Sequence, residues 1–208
     1  MNFSTFFTNQ ARKPEGLFGR IVMRIVFDQG NAFLNNFVSD LMAVQSDDRI
    51  LEIGAGTGGL INKMARNIDT GFIEGVDFSN EMVSIARKRN QKYIAQGRVK
   101  ILEGDFDDMP LEKEKYSRAC SINTLYFWPA PIRTAQKIAD ILKPTGRLFL
   151  AFEDIGQLQR RKLNQDVFHI YSTDEVRDLL RNAGFSGAVS IVSKRKGNSI
   201  FHCAVAEK

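Results

Sequence analysis

The stretch RILEIGAGTGGL, Arg49 to Leu60, satisfies two nucleotide-binding patterns at once. Gly54, Gly56 and Gly59 spell G-x-G-x-x-G, the dinucleotide fingerprint, while Gly54, Gly56 and Gly58 with the acid Glu52 spell a different loop. Both need the same local physics: an apolar strand ends in glycines that turn the backbone tightly and let it approach a ligand, and a helix follows. Glu52 separates them. Next to last in the strand, it sets a carboxylate beside the place where a dinucleotide would bring its pyrophosphate, an unfavourable meeting of like charges. A ligand carrying an ammonium and a sulfonium is complementary to that carboxylate, so the second pattern is preferred.

Working outward, the chain alternates between strand and helix patterns. Strands are predicted at 50–53, 71–76, 99–103, 117–122 and 146–152, and helices at about 58–67, about 80–95 and after Pro131. That alternation predicts a parallel sheet covered on both faces. Ser79 is placed to cap the helix from residue 80, with Phe78 and Val83 spaced for a hydrophobic staple. The polar run EDIGQLQRRKLNQDVF, from Glu153, reads as a loop able to move. STDEVRDLLRNAGF reads as a helix with a Ser172 to Glu175 capping box and a Gly184 stop. AVSIVSK and SIFHCAVAEK, joined by the turn RKGN, make a closing antiparallel hairpin. Ahead of the sheet, apolar residues at 17, 18, 21, 22, 25 and 26, then Ala32, Phe33, Phe37, Val38 and Leu41, keep helical spacing. Residues 1–45 therefore read as an N-terminal helical cap, expected to act as a lid over the acceptor, on a domain spanning 46–208.

Composition bounds the function. The chain has 208 residues, 43% hydrophobic and 25% charged, an ordinary globular balance. No apolar run approaches the ~20 residues that cross a bilayer, and the start lacks a basic leader with a long apolar segment. A cytoplasmic protein without stable membrane insertion is expected. A net charge of +5 raises the question of nucleic acid, but the basic residues are scattered and few aromatics stand among them, which reads as solvated surface. Cys120 and Cys203 lie in strand-like runs without metal spacing and read as buried thiols. No metal site is expected, and the oligomeric state is not legible.

Asp77 lies about 20 residues beyond Gly56 at the end of the second strand, where an acid accepts hydrogen bonds from ribose hydroxyls. EGDFDDMP puts Asp105 and Phe106 at the same edge. An acid for an amino group followed by an aromatic face suits adenine. An ordinary acidic turn is the plain alternative.

LEIGAGTG, GVDFSNEM, EGDFDDMP, SINTLYFWPAP, LKPTGRLFL and LLRNAGF, in this order, resemble the motifs of class I S-adenosylmethionine-dependent methyltransferases, especially bacterial small-molecule enzymes related to quinone biosynthesis. The resemblance implies a Rossmann-like α/β/α fold with a seven-stranded, mostly parallel sheet whose last strand is antiparallel. It implies S-adenosylmethionine as cofactor, with Glu52, Gly54, Ala55, Gly56, Thr57 and Gly58 around the methionine part. Asp77 would hold the ribose, and Phe78 and Met82 would lie near the adenine. Gly104, Asp105 and Phe106 would complete the adenine pocket, with Asn123 and Thr124 by the sulfonium. Ser117 departs from the family, which commonly has an acid early in this strand.

The expected reaction is methyl transfer to a small, partly apolar acceptor by in-line attack, helped chiefly by alignment. No catalytic base is assigned. Tyr126 is a weak candidate, and His169 and His202, the two histidines of the chain, read as structural. Tyr126, Trp128 and Phe18 are expected to line the acceptor site, with core packing as the alternative for the first two. There is no N-P-P-Y run, no Pro-Cys nucleophile and no carboxylate cluster after Asn123, which sets aside base-flipping and metal-dependent catechol chemistry. An RNA or protein methyltransferase, a nucleotide-dependent oxidoreductase and a non-catalytic cofactor-binding regulator remain as alternatives.

Overall fold

A computed structural model of the chain describes residues 32–160 and 169–208. The apolar pattern at 17–26, Phe18 with it, and residues 161–168 of the polar run lie outside the described residues. Seven strands, β1 Arg49–Ile53, β2 Phe72–Asp77, β3 Val99–Glu103, β4 Tyr116–Ile122, β5 Leu142–Glu153, β6 Val189–Lys196 and β7 Ser199–Glu207, form one sheet in the order β3-β2-β1-β4-β5-β7-β6. All pairs up to β5 are parallel, and β7 runs antiparallel to both β5 and β6. Strand order reverses between β1 and β4, so a crevice opens beyond their carboxyl ends, the place where open α/β sheets hold ligands.

Around the sheet lie α1 (32–42), α2 Gly59–Met64, α3 Asn80–Arg89, α4 Gln91–Ala95, α5 Pro131–Ile141, α6 Ile155–Arg160 and α7 Thr173–Asn182. Alternate strand residues face opposite sides, as the pleat requires. Leu51, Ala119, Leu150 and Ala204 share a core with Ile138 of α5 and Leu180 of α7. Ile50, Ile73, Cys120 and Phe149 share another with Val38 of α1, Leu60 of α2 and Val83 of α3. Three layers result, as the alternation predicts.

Several local expectations change. The helix expected over 80–95 is broken at Asn90, whose side-chain amide donates to Ala86 O at 2.9 Å and Gly58 O at 3.1 Å, competing with the helix for its own backbone. Residues 155–160 of the expected loop are helical, with Asp154 Oδ1 accepting from Gly156 N at 2.9 Å in the manner of a cap. α1 falls within the segment read as cap, yet its Leu34, Phe37, Val38 and Met42 are buried in the core. Phe78 is 41% exposed while Val83 is fully buried, so no staple forms. Ser79 does cap α3, the Ser172–Glu175 capping box is complete, and Gly184 turns the chain with φ 96°. Cys120 and Cys203 are buried free thiols. Among the described residues no helix is long and apolar enough to cross a membrane.

Candidate functional site

The glycine loop sits at the crevice. Gly54 and Ala55 both donate to Val76 O, at 2.8 and 3.0 Å, pinning the loop to the end of β2. Gly54, Gly56 and Gly58 have φ of 72°, 52° and 71°, the left-handed region that glycine enters without cost. At Gly54 space also forbids a side chain: a Cβ there would stand 2.4 Å from Thr124 Cγ2. That approach joins the loop to the end of β4. Asp77 joins it to β2, since Oδ2 accepts from Gly56 N at 2.8 Å and Oδ1 from Ser79 N at 2.9 Å. Thr57 Oγ1 accepts from Arg89 at 2.8 Å, and Met82 is buried just behind Ser79.

Glu52 lies beneath this loop, 3% exposed, between Gly75 of β2 and Cys120 of β4. The Ile61 backbone N–H supplies it one hydrogen bond, and its Oε2 has no partner among the described residues. Burial, reinforced by the neighbouring Asp77, pushes the Glu52 carboxyl well above the ordinary carboxylate range. Burial raises Asp77 too, against the two backbone N–H groups that favour its ionised form. Two close acids, one with an orphaned buried oxygen, suit a cationic ligand and oppose a pyrophosphate. The residues therefore fit S-adenosylmethionine, whose ammonium and sulfonium are both positive.

The third loop leaves β3 at Gly104, which donates to Asp77 O at 3.0 Å and so brings Asp105 and Phe106 to the same edge. Asp105 Oδ1 accepts from Asp107 N at 3.0 Å, and Phe106 is buried. Asn90 and, on α5, Thr134 and Lys137 brace these loops from behind. None was singled out in the sequence, because each acts on residues 27 to 32 positions away and carries no local motif.

Beyond β4, Asn123 adopts the left-handed region with φ 57°, which Asn tolerates better than most residues, and donates its N–H to Ala151 O at 2.9 Å. Tyr126 and Trp128, expected at the acceptor, are 2% and 6% exposed and belong to the core. The Tyr126 hydroxyl accepts from Glu153 N at 2.6 Å and donates to Asn123 Oδ1 at 3.4 Å; the Trp128 indole N–H donates to Thr124 at 3.2 Å. Their polar tips bond to Asn123 and Thr124. Phe127, half-buried, stacks edge-on against Tyr126.

His202 is buried with Nδ1 at 2.8 Å from Ser193 Oγ and Nε2 at 3.4 Å from Asp154 Oδ2, both ring nitrogens occupied. His169 is exposed, its backbone N–H donating to Tyr126 O at 3.0 Å. Ser117 donates to Asp48 Oδ1 at 2.7 Å, and Asp48 pairs with Arg118 at 2.6 Å. Burial alone would raise the Asp48 carboxyl, but Arg118, Gln45 and Ser117 hold it below the ordinary value. Asp48 lies just ahead of β1, at the end of the sheet opposite the glycine loop.

Residues 50–146 match the family model described as a methyltransferase domain. The chain is 30% identical over 110 residues to malonyl-[acyl-carrier protein] O-methyltransferase of Priestia megaterium, covering 53% of this chain and 38% of that protein. It is 27% identical over 139 residues to 2-phytyl-1,4-naphtoquinone methyltransferase of Nostoc punctiforme, covering 62% and 60%. In both cases the match spans less than two thirds of the relative's length. Among solved structures, a SAM-dependent methyltransferase of Thermotoga maritima, described as a possible histamine N-methyltransferase, superposes with a TM-score of 0.68 at 25% identity, covering 91% of this chain and 96% of that one.

Proposed function

We propose that this chain, a class I S-adenosylmethionine-dependent methyltransferase, transfers a methyl group to a small, partly apolar acceptor held beyond the carboxyl ends of β4 and β5. The observation that carries this is the Gly54–Thr124 approach, which sets the start of the segment Asn123 to Trp128 against the glycine loop. An acceptor leaning on that segment lies beside the end of the cofactor that reacts. The Nostoc relative, named for a phytyl naphthoquinone, supports an apolar, ring-bearing acceptor.

Bound S-adenosylmethionine supplies an electrophilic methyl carbon on a sulfonium whose charge disappears as the methyl departs. Asp77, with lone pairs left on both oxygens, accepts the ribose hydroxyls. Glu52 lies under the methionine end, where a bound ammonium would draw its carboxyl toward the ionised form and low dielectric would strengthen their attraction. Gly54 to Gly58 let the backbone approach. Asp105 accepts from the adenine amino group, with Phe78, Met82 and Phe106 around the ring. Asn123 and Thr124 border the sulfonium. Tyr126 and Trp128 shape the acceptor wall from within the core, and Phe127 presents its ring. Alignment of nucleophile, methyl carbon and sulfur is then the main source of rate.

The test is to incubate the protein with methyl-labelled cofactor and panels of small phenols, quinols and amines, with RNA and unrelated protein as parallel arms. Label in a small organic acceptor is the expected result. Label confined to RNA or protein overturns the acceptor class.

A further inference from the structure

We infer that Lys137 is a positioning residue for adenine recognition: it fixes the Asp105 carboxylate by clamping, from the opposite side, the two peptide groups that Asp105 itself holds. The inference rests on the assignment of adenine to the Gly104–Phe106 loop.

The geometry is specific. The Lys137 ammonium donates to three main-chain carbonyls of one loop, those of Phe106, Asp107 at 2.8 Å and Met109 at 2.7 Å. Three donors and three acceptors match, so its hydrogen-bonding capacity is filled. A trans peptide points its C=O and N–H in opposite directions. The peptide linking Phe106 to Asp107 gives its carbonyl to Lys137 and its N–H to Asp105 Oδ1 at 3.0 Å. The next peptide gives its carbonyl to Lys137 and its N–H to Asp105 O at 3.1 Å. Each is held from both sides, lysine on one and aspartate on the other.

Two further contacts make α5 the frame for this loop. Thr134, one turn earlier on the same helix, donates to the Asp107 carboxylate, with both oxygens at 2.9 Å. The ammonium also stands 5.0 Å from the centroid of the Phe106 ring, within range of a cation–π attraction. Burial lowers the lysine's pKa from its ordinary value, while the neighbouring carboxylates of Asp107, Asp108 and Asp105 favour the charged form. An ammonium drawn into a loop of acids and carbonyls is costly unless it is fully bonded, as it is here.

An ordinary structural lysine would affect all cofactor analogues alike, whereas a residue that orients Asp105 acts on the adenine amino group alone. The experiment measures, by calorimetry, affinities for S-adenosylhomocysteine and S-inosylhomocysteine, in which a carbonyl replaces that amino donor. Wild type is expected to prefer the adenosine compound. Asp105→Asn should abolish the preference, and Lys137→Met should reduce it by roughly tenfold, one lost ionic hydrogen bond. Lys137→Arg, which keeps the charge, should recover part of it. If Lys137→Met does not fold, Thr134→Val is read in the same way and should give a smaller reduction. Loss of preference in Asp105→Asn but not in Lys137→Met or Thr134→Val overturns the inference. An equal preference in wild type and Asp105→Asn overturns the placement of adenine as well.

Discussion

Replacing Glu52 by Gln separates the cost of a buried acid from its use. In the unliganded protein the Glu52 carboxyl is buried, has one oxygen unpartnered and faces Asp77, so its pKa lies well above that of the unfolded chain. Between the ordinary carboxylate range and that raised value, the folded state holds one proton more than the unfolded state. Stability contributed by the group is therefore complete below its unfolded pKa and is lost as pH rises toward the folded value. One proton corresponds to at most about 1.4 kcal/mol per pH unit. For a chain of this size, at about 2–4 °C per kcal/mol, that is roughly 3–6 °C per unit. Glu52→Gln removes this slope, so its melting temperature relative to wild type should climb as pH rises above the ordinary carboxylate range. The same substitution should weaken S-adenosylmethionine by about 1.5–3 kcal/mol, roughly 10- to 150-fold, because the ligand's positive charges lose their buried partner. A difference in melting temperature that stays flat with pH, or unchanged cofactor affinity, refutes the reasoning.

Asp77→Ala should also weaken the cofactor by about 1.5–3 kcal/mol in calorimetry; because Asp77 ties Gly56 to Ser79, the unliganded protein should melt several degrees lower, which a side chain serving the ribose alone would not cause. Tyr126→Phe should cost about 1–3 kcal/mol in urea unfolding by removing the hydroxyl that accepts from Glu153 N, and any fall in turnover should follow from displaced Asn123 rather than a lost base, so the pH–rate profile should keep its shape. Trp128→Ala should destabilise by about 3–5 kcal/mol, the range for a buried aromatic, read from the same unfolding curves. Removing residues 1–30 should leave calorimetric cofactor affinity mostly intact while turnover of an identified acceptor collapses; unchanged turnover would remove the lid.

What the sequence determined by itself is local or periodic. Alternating apolar runs foretell the α/β layers, Ser79 and the Ser172–Glu175 box mark helix starts, and RKGN marks the final hairpin, since each depends on neighbours a few residues away. The glycine loop and the acids ending β1, β2 and β3 are equally legible, because parallel strands deliver their carboxyl ends to one edge. Tertiary structure alone decided which side chains face that edge. Tyr126 and Trp128 follow a strand as acceptor residues would, but the turn at Leu125–Phe127 rolls them into the core. α1 has the apolar stripe of a lid, and a stripe is satisfied equally by a substrate channel or by the core that buries it here. Lys137 reads as one more surface lysine on an amphipathic helix. Only the packing of α5 against the loop after β3 brings it to the three carbonyls there, as no spacing along the chain encodes a contact across 28 to 31 residues.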